Sequence, residues 1–432
     1  MNSISNADKL DAGRAFDPLK IPTYRSFWIA GLVSNMGTWM HETGAQWQMA
    51  LLDPSPEMVS AVRTAMTIPV FCLALPAGVW ADRFDKRRWL LGTQSILLAI
   101  AVCMAVLAAT GQLTPWPLLI LTAAMGVGMI LNQPAWQSLT PELVPPALIP
   151  SAVSVGSMSF NLARSLGPAL AGYLIWQLGI WSTFLFNACS FLAVMVALLF
   201  WRPEMTSQGA SAETVSDSDI RLAKVEPRKK DFWAEMLGGL RTVYQTQEVR
   251  HTLLRLFGFA LNATILWSLL SLVAKNKLGF SELGFGFCLG IIGSGAVTGT
   301  LALPRIRLRF SSERIVLASQ YIFGLLCILL GFTDSAIVIL PSLFVIGCCW
   351  MATMTTFNAT AQVYLPREYR ARGMAAYMMA FALAMAIGSV GWGWLAKAFG
   401  LETAYCYAGV SLICFAGMLH SFKLGNLVER KT

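Results

Sequence analysis

Apolar residues run along the chain in long stretches separated by short polar turns. No Asp, Glu, Lys or Arg occurs in the 53 residues Trp89–Pro141, the 37 residues Ser165–Trp201 or the 32 residues Ser335–Pro366. A bilayer crossing needs about 20 apolar residues, so these runs hold two, two and one crossings. Reading every apolar run between its turn signals predicts spans at 27–51, 58–80, 89–110, 116–139, 151–172 and 180–201, then at 251–273, 282–303, 314–332, 336–358, 373–396 and 403–422. Lipid offers no partner to unpaired backbone groups, so each span must be a helix. The expected fold is an all-α polytopic membrane protein with twelve transmembrane helices in two six-helix bundles.

Composition agrees with that pattern. Apolar residues make up 56% of the 432 and charged residues 13%, about half the roughly 25% of soluble proteins, which excludes a soluble globular chain. The net charge of +9 is unevenly placed: 27 of the 32 Lys and Arg fall in the N-tail, at 81–88, 140–150, 202–250, 304–314 and 361–372, after the last span at 423–432 and at Arg255. The opposite loops hold only Lys275, Lys277 and Lys397. Basic loops stay on the cytoplasmic side, so both termini are expected in the cytoplasm, with the charge facing anionic membrane lipid and not nucleic acid. The N-tail carries Asp8, Lys9, Asp11, Arg14 and Asp17 without an apolar core, unlike a cleavable signal. None of the nine cysteines forms a CxxC pair, so no disulfide scaffold and no zinc or other metal site is expected.

The spans divide six and six. The expected organisation is an N-tail 1–26, a six-helix bundle 27–201, a cytoplasmic linker 202–250, a second bundle 251–424 and a C-tail 425–432. The linker begins polar and flexible, then sets Phe232, Trp233, Met236, Leu237, Leu240, Val243 and Tyr244 at helical spacing, the mark of an amphipathic helix on the membrane surface. At an offset of 225 residues, Gln137 and Pro141 match Gln362 and Pro366. A duplicated chain of this kind binds substrate between its halves near the bilayer midplane.

Polar residues inside spans mark where that site lies. In the first span Asn35, Thr38, Trp39, Glu42, Gln46 and Met49 form one helical stripe, and a charge facing lipid there would cost at least about 2.5–3.5 kcal/mol. The stripe is therefore expected to face a water-filled cavity or another helix. Glu42 and Arg164 are the ionisable residues placed deepest in the first half. Burial opposes ionisation of a carboxyl and a neighbouring arginine favours it, so the pair fits a proton-coupling site, with His41 as a further titratable group; a static salt bridge between spans one and five is the alternative. Arg63 is expected to snorkel outward near Glu57 without a role. Candidate substrate contacts are Asn35, Trp39, Gln46, Trp136 and Asn161 in the first half and Asn262, Trp267, Thr356 and Phe381 in the second. A wall polar on one side and aromatic on the other suits a bulky amphipathic molecule. No GxxxxGK[ST], HExxH or GxSxG is present, so neither ATP drive nor those hydrolase sites are expected.

Two motifs narrow the class. Gly78-Val-Trp-Ala-Asp82-Arg83-Phe-Asp-Lys86-Arg87-Arg88 joins spans two and three. Gly78 is expected to let helices approach closely, and Asp82, near the negative end of a helix, calls for the cations Arg83, Lys86, Arg87 and Arg88. The pattern resembles the loop signature of the major facilitator superfamily, with Asp85 in place of the second glycine. Span five carries Asn161-Leu-Ala-Arg164-Ser-Leu-Gly167-Pro168-Ala-Leu-Ala-Gly172, where Pro168 bends the helix; its Gly-Pro core is similar to the antiporter signature of exporters in that superfamily. Tyr24–Trp28, Ser34–Met40, Leu75–Gly78 and Gly239-Leu-Arg241 extend the resemblance to the branch that includes enterobactin and macrolide efflux proteins, of the transmembrane secretion effector type.

The resemblance implies a secondary transporter of the bacterial inner membrane, not an enzyme, which exports a siderophore- or drug-like molecule by proton antiport and alternating access. It further implies a monomer without cofactor, with Gly78, Asp82, Arg83, Lys86, Arg87, Gly167 and Pro168 in gating. Two alternatives stay open: the same fold importing a nutrient or moving a lipid, and a membrane sensor or scaffold that transports nothing.

Overall fold

A computed structural model describes residues 16–201, 244–366 and 370–425, apart from the side chains of Asp82 and Ala371. The N-tail to residue 15, the linker with nearly all of its expected surface helix, residues 367–369 and the end of the C-tail lie outside the described residues. Twelve long α-helices are seen in the described residues. The first six are α1 Pro22–Leu52, α2 Pro56–Arg83, α3 Lys86–Ala109, α4 Pro115–Leu143, α5 Ile149–Leu178 and α6 Trp181–Phe200. The rest are α7 Gln247–Leu272, α8 Glu282–Arg307, α9 Ser312–Phe332, α10 Ala336–Tyr364, α11 Arg370–Phe399 and α12 Leu401–Met418. Each predicted span coincides with one helix to within a few residues. The helices run longest past their predicted ends in α5 and α10, which continue to Leu178 and Tyr364.

Ten of these helices are long and apolar enough to cross a membrane. The two that fall short are α1 and α5, the most polar of the spans. Asn35, His41, Glu42, Gln46 and Gln48 load α1, while Ser154, Ser157, Ser159, Asn161 and Arg164 load α5. The two helices pack on each other, which places much of their polarity inside the protein.

The packing order repeats. Helix α1 lies on α5 and α6 as α7 lies on α11 and α12; α2 lies on α4 as α8 on α10; α3 lies on α6 as α9 on α12. Between the two sets, α2 meets α11 and α5 meets α8, so the second helix of each set packs on the fifth of the other. The turn between the fifth and sixth helices is also the same in both, with Gly179 at φ 93° and Gly400 at φ 90°. L side chains rarely adopt that backbone, so each turn needs its glycine. Helix α7 is buried along most of its length, and two of its buried polar groups turn back on their own helix: Asn262 Nδ2 donates to the Gly258 carbonyl at 2.7 Å and Ser268 Oγ to the Thr264 carbonyl at 2.9 Å.

One end of the assembly is drawn tight. A Cβ on Gly172 of α5 would stand 2.7 Å from the Glu282 carbonyl oxygen of α8, and one on Gly286 would stand 2.6 Å from the Pro168 carbonyl oxygen. At the same end Ser389 Oγ of α11 donates to the Ser60 carbonyl of α2 at 2.7 Å, and Lys397 pairs with Glu57. A π-helical turn, Val273–Lys277, extends α7 and carries Lys275, whose Nζ donates to the Ala50 carbonyl near the end of α1 at 2.6 Å. Toward the other end α5 and α8 separate. Three successive residues, Gly156–Met158, are exposed on α5, as are Pro304–Ile306 on α8. Three helical residues sweep about 200°, so each helix there has neighbours on one side only.

Candidate functional site

Between α1, α2, α5, α7, α8 and α10 lies a narrow pocket, whose empty space counted together with its open mouth is about 470 Å³. Its charged lining residues are Glu42, Arg63 and Arg164. Trp39, Trp267 and Trp350 give it aromatic walls, and Leu289 and Ile292 of α8 add apolar surface.

The partner of Glu42 is Arg63, not Arg164. Glu42 Oε2 and Arg63 Nη1 are 3.5 Å apart, with the two side chains only 19% and 15% exposed. The expectation that Arg63 snorkels outward beside Glu57 is thus overturned: Glu57 is taken by Lys397. Arg63 turns inward, where its guanidinium carbon lies 5.9 Å from the Trp267 ring centroid. Trp267 also receives a hydrogen bond at its carbonyl from Gln46 Nε2 and meets Trp350 edge-on at 5.3 Å. Helices α1, α2 and α7 therefore converge on one residue, Trp267. A cation over an indole face gains about 0.5–2 kcal/mol, and the carboxylate at its other side fixes where it stands.

Arg164 lies on α5 where Gly293 lets α8 approach, a Cβ there being 2.7 Å from Ser165 Cα. Its Nη2 donates to Asn161 Oδ1 at 3.0 Å and contacts Met351 Sδ of α10 at 3.1 Å. No carboxylate pairs with it among the described residues. Arg63 Nε, Arg164 Nε and Trp267 Nε1 are buried donors without an acceptor.

Of the predicted substrate contacts, Trp39, Gln46 and Trp267 line the cavity. Asn161 is one step behind it, holding Arg164. Trp136 packs under Gly31 and beside Phe27, in the core between α1 and α4. Asn262 is spent on its own helix. Thr356 donates to the Ala352 carbonyl and accepts from Arg307 Nη2. Phe381 backs Trp350 at 6.3 Å, and Asn35 is half-buried on α1 outside the cavity lining. His41 is buried against the Phe184 ring of α6 at 4.8 Å, outside the lining, with neither ring nitrogen bonded.

Three hairpin residues make contacts of their own. Asp85, where the signature has glycine, caps α3 by accepting from Arg88 N at 2.9 Å. Arg87 donates to the Leu198 and Leu199 carbonyls at 2.9 and 2.8 Å, closing the end of α6, and Lys86 pairs with Glu142. Arg83 is exposed, and the Asp82 side chain lies outside the described residues. The close approach expected at Gly78 is not there: a Cβ would meet nothing within 4 Å. The tight contact of α2 with α4 is made instead by Gly126, whose Cβ would lie 3.0 Å from the Met66 carbonyl oxygen. Gly167 is a close-approach position, 2.7 Å from Trp39 Cβ, and Pro168 lines the cavity.

Comparison with known proteins agrees with this architecture. Residues 13–431 match the family model described as transmembrane secretion effector. The staphyloferrin A transporter of Staphylococcus aureus is 25% identical, with 90% of this chain and 93% of that protein covered. Macrolide efflux protein A of Streptococcus pyogenes is 23% identical over 87% of this chain and 91% of its own. A crystal structure of a bacterial homologue of the human lysosomal transporter Spinster, inward-facing and unoccupied, superposes with a TM-score of 0.67 at 14% identity, covering 93% of this chain and 96% of that one.

Proposed function

From the premise that the chain belongs to the transmembrane secretion effector family of major facilitator transporters, we propose that it exports a small amphipathic molecule across a bacterial inner membrane by alternating access, driven by proton antiport. The observation that carries the reading is the Glu42–Arg63 pair set against Trp267. It joins the first six helices to α7 at the wall of a cavity that the two sets share. All twelve helices cross the membrane in this reading, as two six-helix bundles with both termini cytoplasmic. The tight end of the assembly is then the outer side, and the structure faces inward.

Glu42 is the proton site. With its carboxylate ionised, Arg63 is held toward α1; a proton on Glu42 frees Arg63 and loosens the junction at Trp267. Opposite signs of substrate and proton flux follow when only one of these states binds substrate from the inner side. Efflux relatives support the outward direction, and the staphyloferrin A transporter makes a siderophore-like cargo chemically reasonable.

The test is transport in proteoliposomes under an imposed pH gradient, following proton and substrate together. Counter-directed fluxes lost in Glu42→Gln are expected. Parallel fluxes would establish an importer, and flux of neither would establish a non-transporting protein.

A further inference from the structure

The cavity charges do not balance. Glu42 is matched by Arg63, which leaves the Arg164 guanidinium with a neutral amide and a thioether for company. A cation within a bilayer is retained only when something answers it, and a thioether is a weak acceptor. A structural bracket between α5 and α10 would need no arginine for so slight a contact. The unpaired groups have one sign as well: Arg63 Nε, Arg164 Nε and Trp267 Nε1 are all donors. A ligand completing this site brings acceptors and one negative charge.

The walls define the rest of it. Trp39, Trp267 and Trp350 present rings, and Pro168, Leu289 and Ile292 present aliphatic surface. Flat aromatic bodies stack on such rings, and a carboxylate meets guanidinium through two parallel hydrogen bonds.

We propose that the cavity takes an aromatic or broadly apolar carboxylate carrying one net negative charge, its carboxylate on Arg164 and its body among the three tryptophans. A cationic substrate meets an unneutralised guanidinium and is disfavoured; a neutral one leaves Arg164 unanswered. The proposal rests on the transporter reading only in taking this cavity as the substrate site, and a binding assay separates the two.

The test uses the full chain in lipid nanodiscs and equilibrium dialysis of radiolabelled 2-naphthoate, with 2-naphthamide as the neutral isostere and protein-free nanodiscs as the partition control. Wild type is expected to hold the acid at least about tenfold more tightly than the amide. Arg164→Gln should remove that preference, while Arg164→Lys, which keeps the charge, should retain part of it and show that the fold survives. Equal binding of acid and amide by wild type, no binding of the acid above the protein-free control, or an undiminished preference in Arg164→Gln would each overturn the proposal. Acid preference without proton-coupled flux would instead refute the transporter reading and leave the anion site standing.

Discussion

Glu42 and Arg63 stand on either side of the 53–55 turn, ten residues before the end of α1 and seven after the start of α2. At 1.5 Å per residue those offsets put both charges at similar depth from the turn, and their side chains meet at 3.5 Å. Neither is at a helix end where a long side chain could reach water along the surface. The pair therefore belongs to the interior, and each charge depends on the other.

That dependence gives the first prediction. Glu42→Gln or Arg63→Gln leaves one partly buried charge unpaired, a loss of about 3–5 kcal/mol where burial is complete and less here. The double variant should be more stable than the sum of the singles requires, with a coupling of about 1–3 kcal/mol, read from melting temperatures of the purified protein. The same cycle on Glu42 and Arg164 should give a smaller coupling. A larger one would restore Arg164 as the partner of Glu42.

Much of this was legible in the sequence, and the exceptions have physical causes. The helices could be placed because lipid forces apolar length on every span. The polar stripe of α1 could be placed because a charge cannot face lipid. Its partner could not, since spacing along α2 does not say how that helix is rotated about its own axis. The mirrored depths of Glu42 and Arg63 were nonetheless a usable signal. Trp136 and Asn262 were assigned to the site because a polar or aromatic residue in a span looks the same whether it meets substrate, as Trp267 could, or a neighbouring helix. The contribution of α8 left no mark, because Gly293 and Ala296 carry no chemistry of their own.

The junction of α5 and α8 gives the second prediction. Gly172 and Gly286 bring two backbones together, a Cβ on Gly172 being 3.1 Å from Gly286 Cα. Gly172→Ala forces the helices apart, and overpacking of this kind costs about 1–3 kcal/mol, enough to shift a two-state ratio about tenfold. Spin labels at Gln177 and Ser281, in a background without reactive cysteines, should report a longer distance population in the variant. Identical distributions would show that the contact is absent from the balance between states.

A third prediction concerns the other end of α7. The Arg255 side chain is 1% exposed and pairs with Glu313 of α9, which also accepts from Leu424 N at 3.1 Å and contacts His420 at 3.1 Å. Glu313→Gln removes the only carboxylate paired with Arg255 among the described residues, and a buried cation left alone costs about 3–5 kcal/mol. The melting temperature should fall by several degrees and the segment after α12 should become sensitive to protease. His420→Ala, at a half-exposed position, should change stability by less than about 1 kcal/mol. Equal effects would place the stabilisation in the segment itself and not in the Arg255 pair.

The last prediction joins the anion site to energetics. With a monoanion on Arg164 the cavity is neutral, since Glu42 and Arg63 cancel; empty, it carries one positive charge, or two once Glu42 is protonated. A carrier that leaves neutral and returns positive moves charge inward on every cycle. An inside-negative potential then assists the return by about 2.3 kcal/mol per charge per 100 mV, roughly fiftyfold in the accumulation ratio. In oriented proteoliposomes at equal pH on both sides, a potassium diffusion potential should therefore drive 2-naphthoate outward, and reversing the potential should slow it. Arg164→Gln lowers the charge of the loaded and of the returning carrier alike by one, so the charge moved per cycle is unchanged and the potential should act on the outward, loaded step instead of on the return. A voltage-sensitive step that is the same in wild type and Arg164→Gln would mean that the substrate charge is not balanced at Arg164, because only a cation there makes the loaded carrier neutral and the returning one positive.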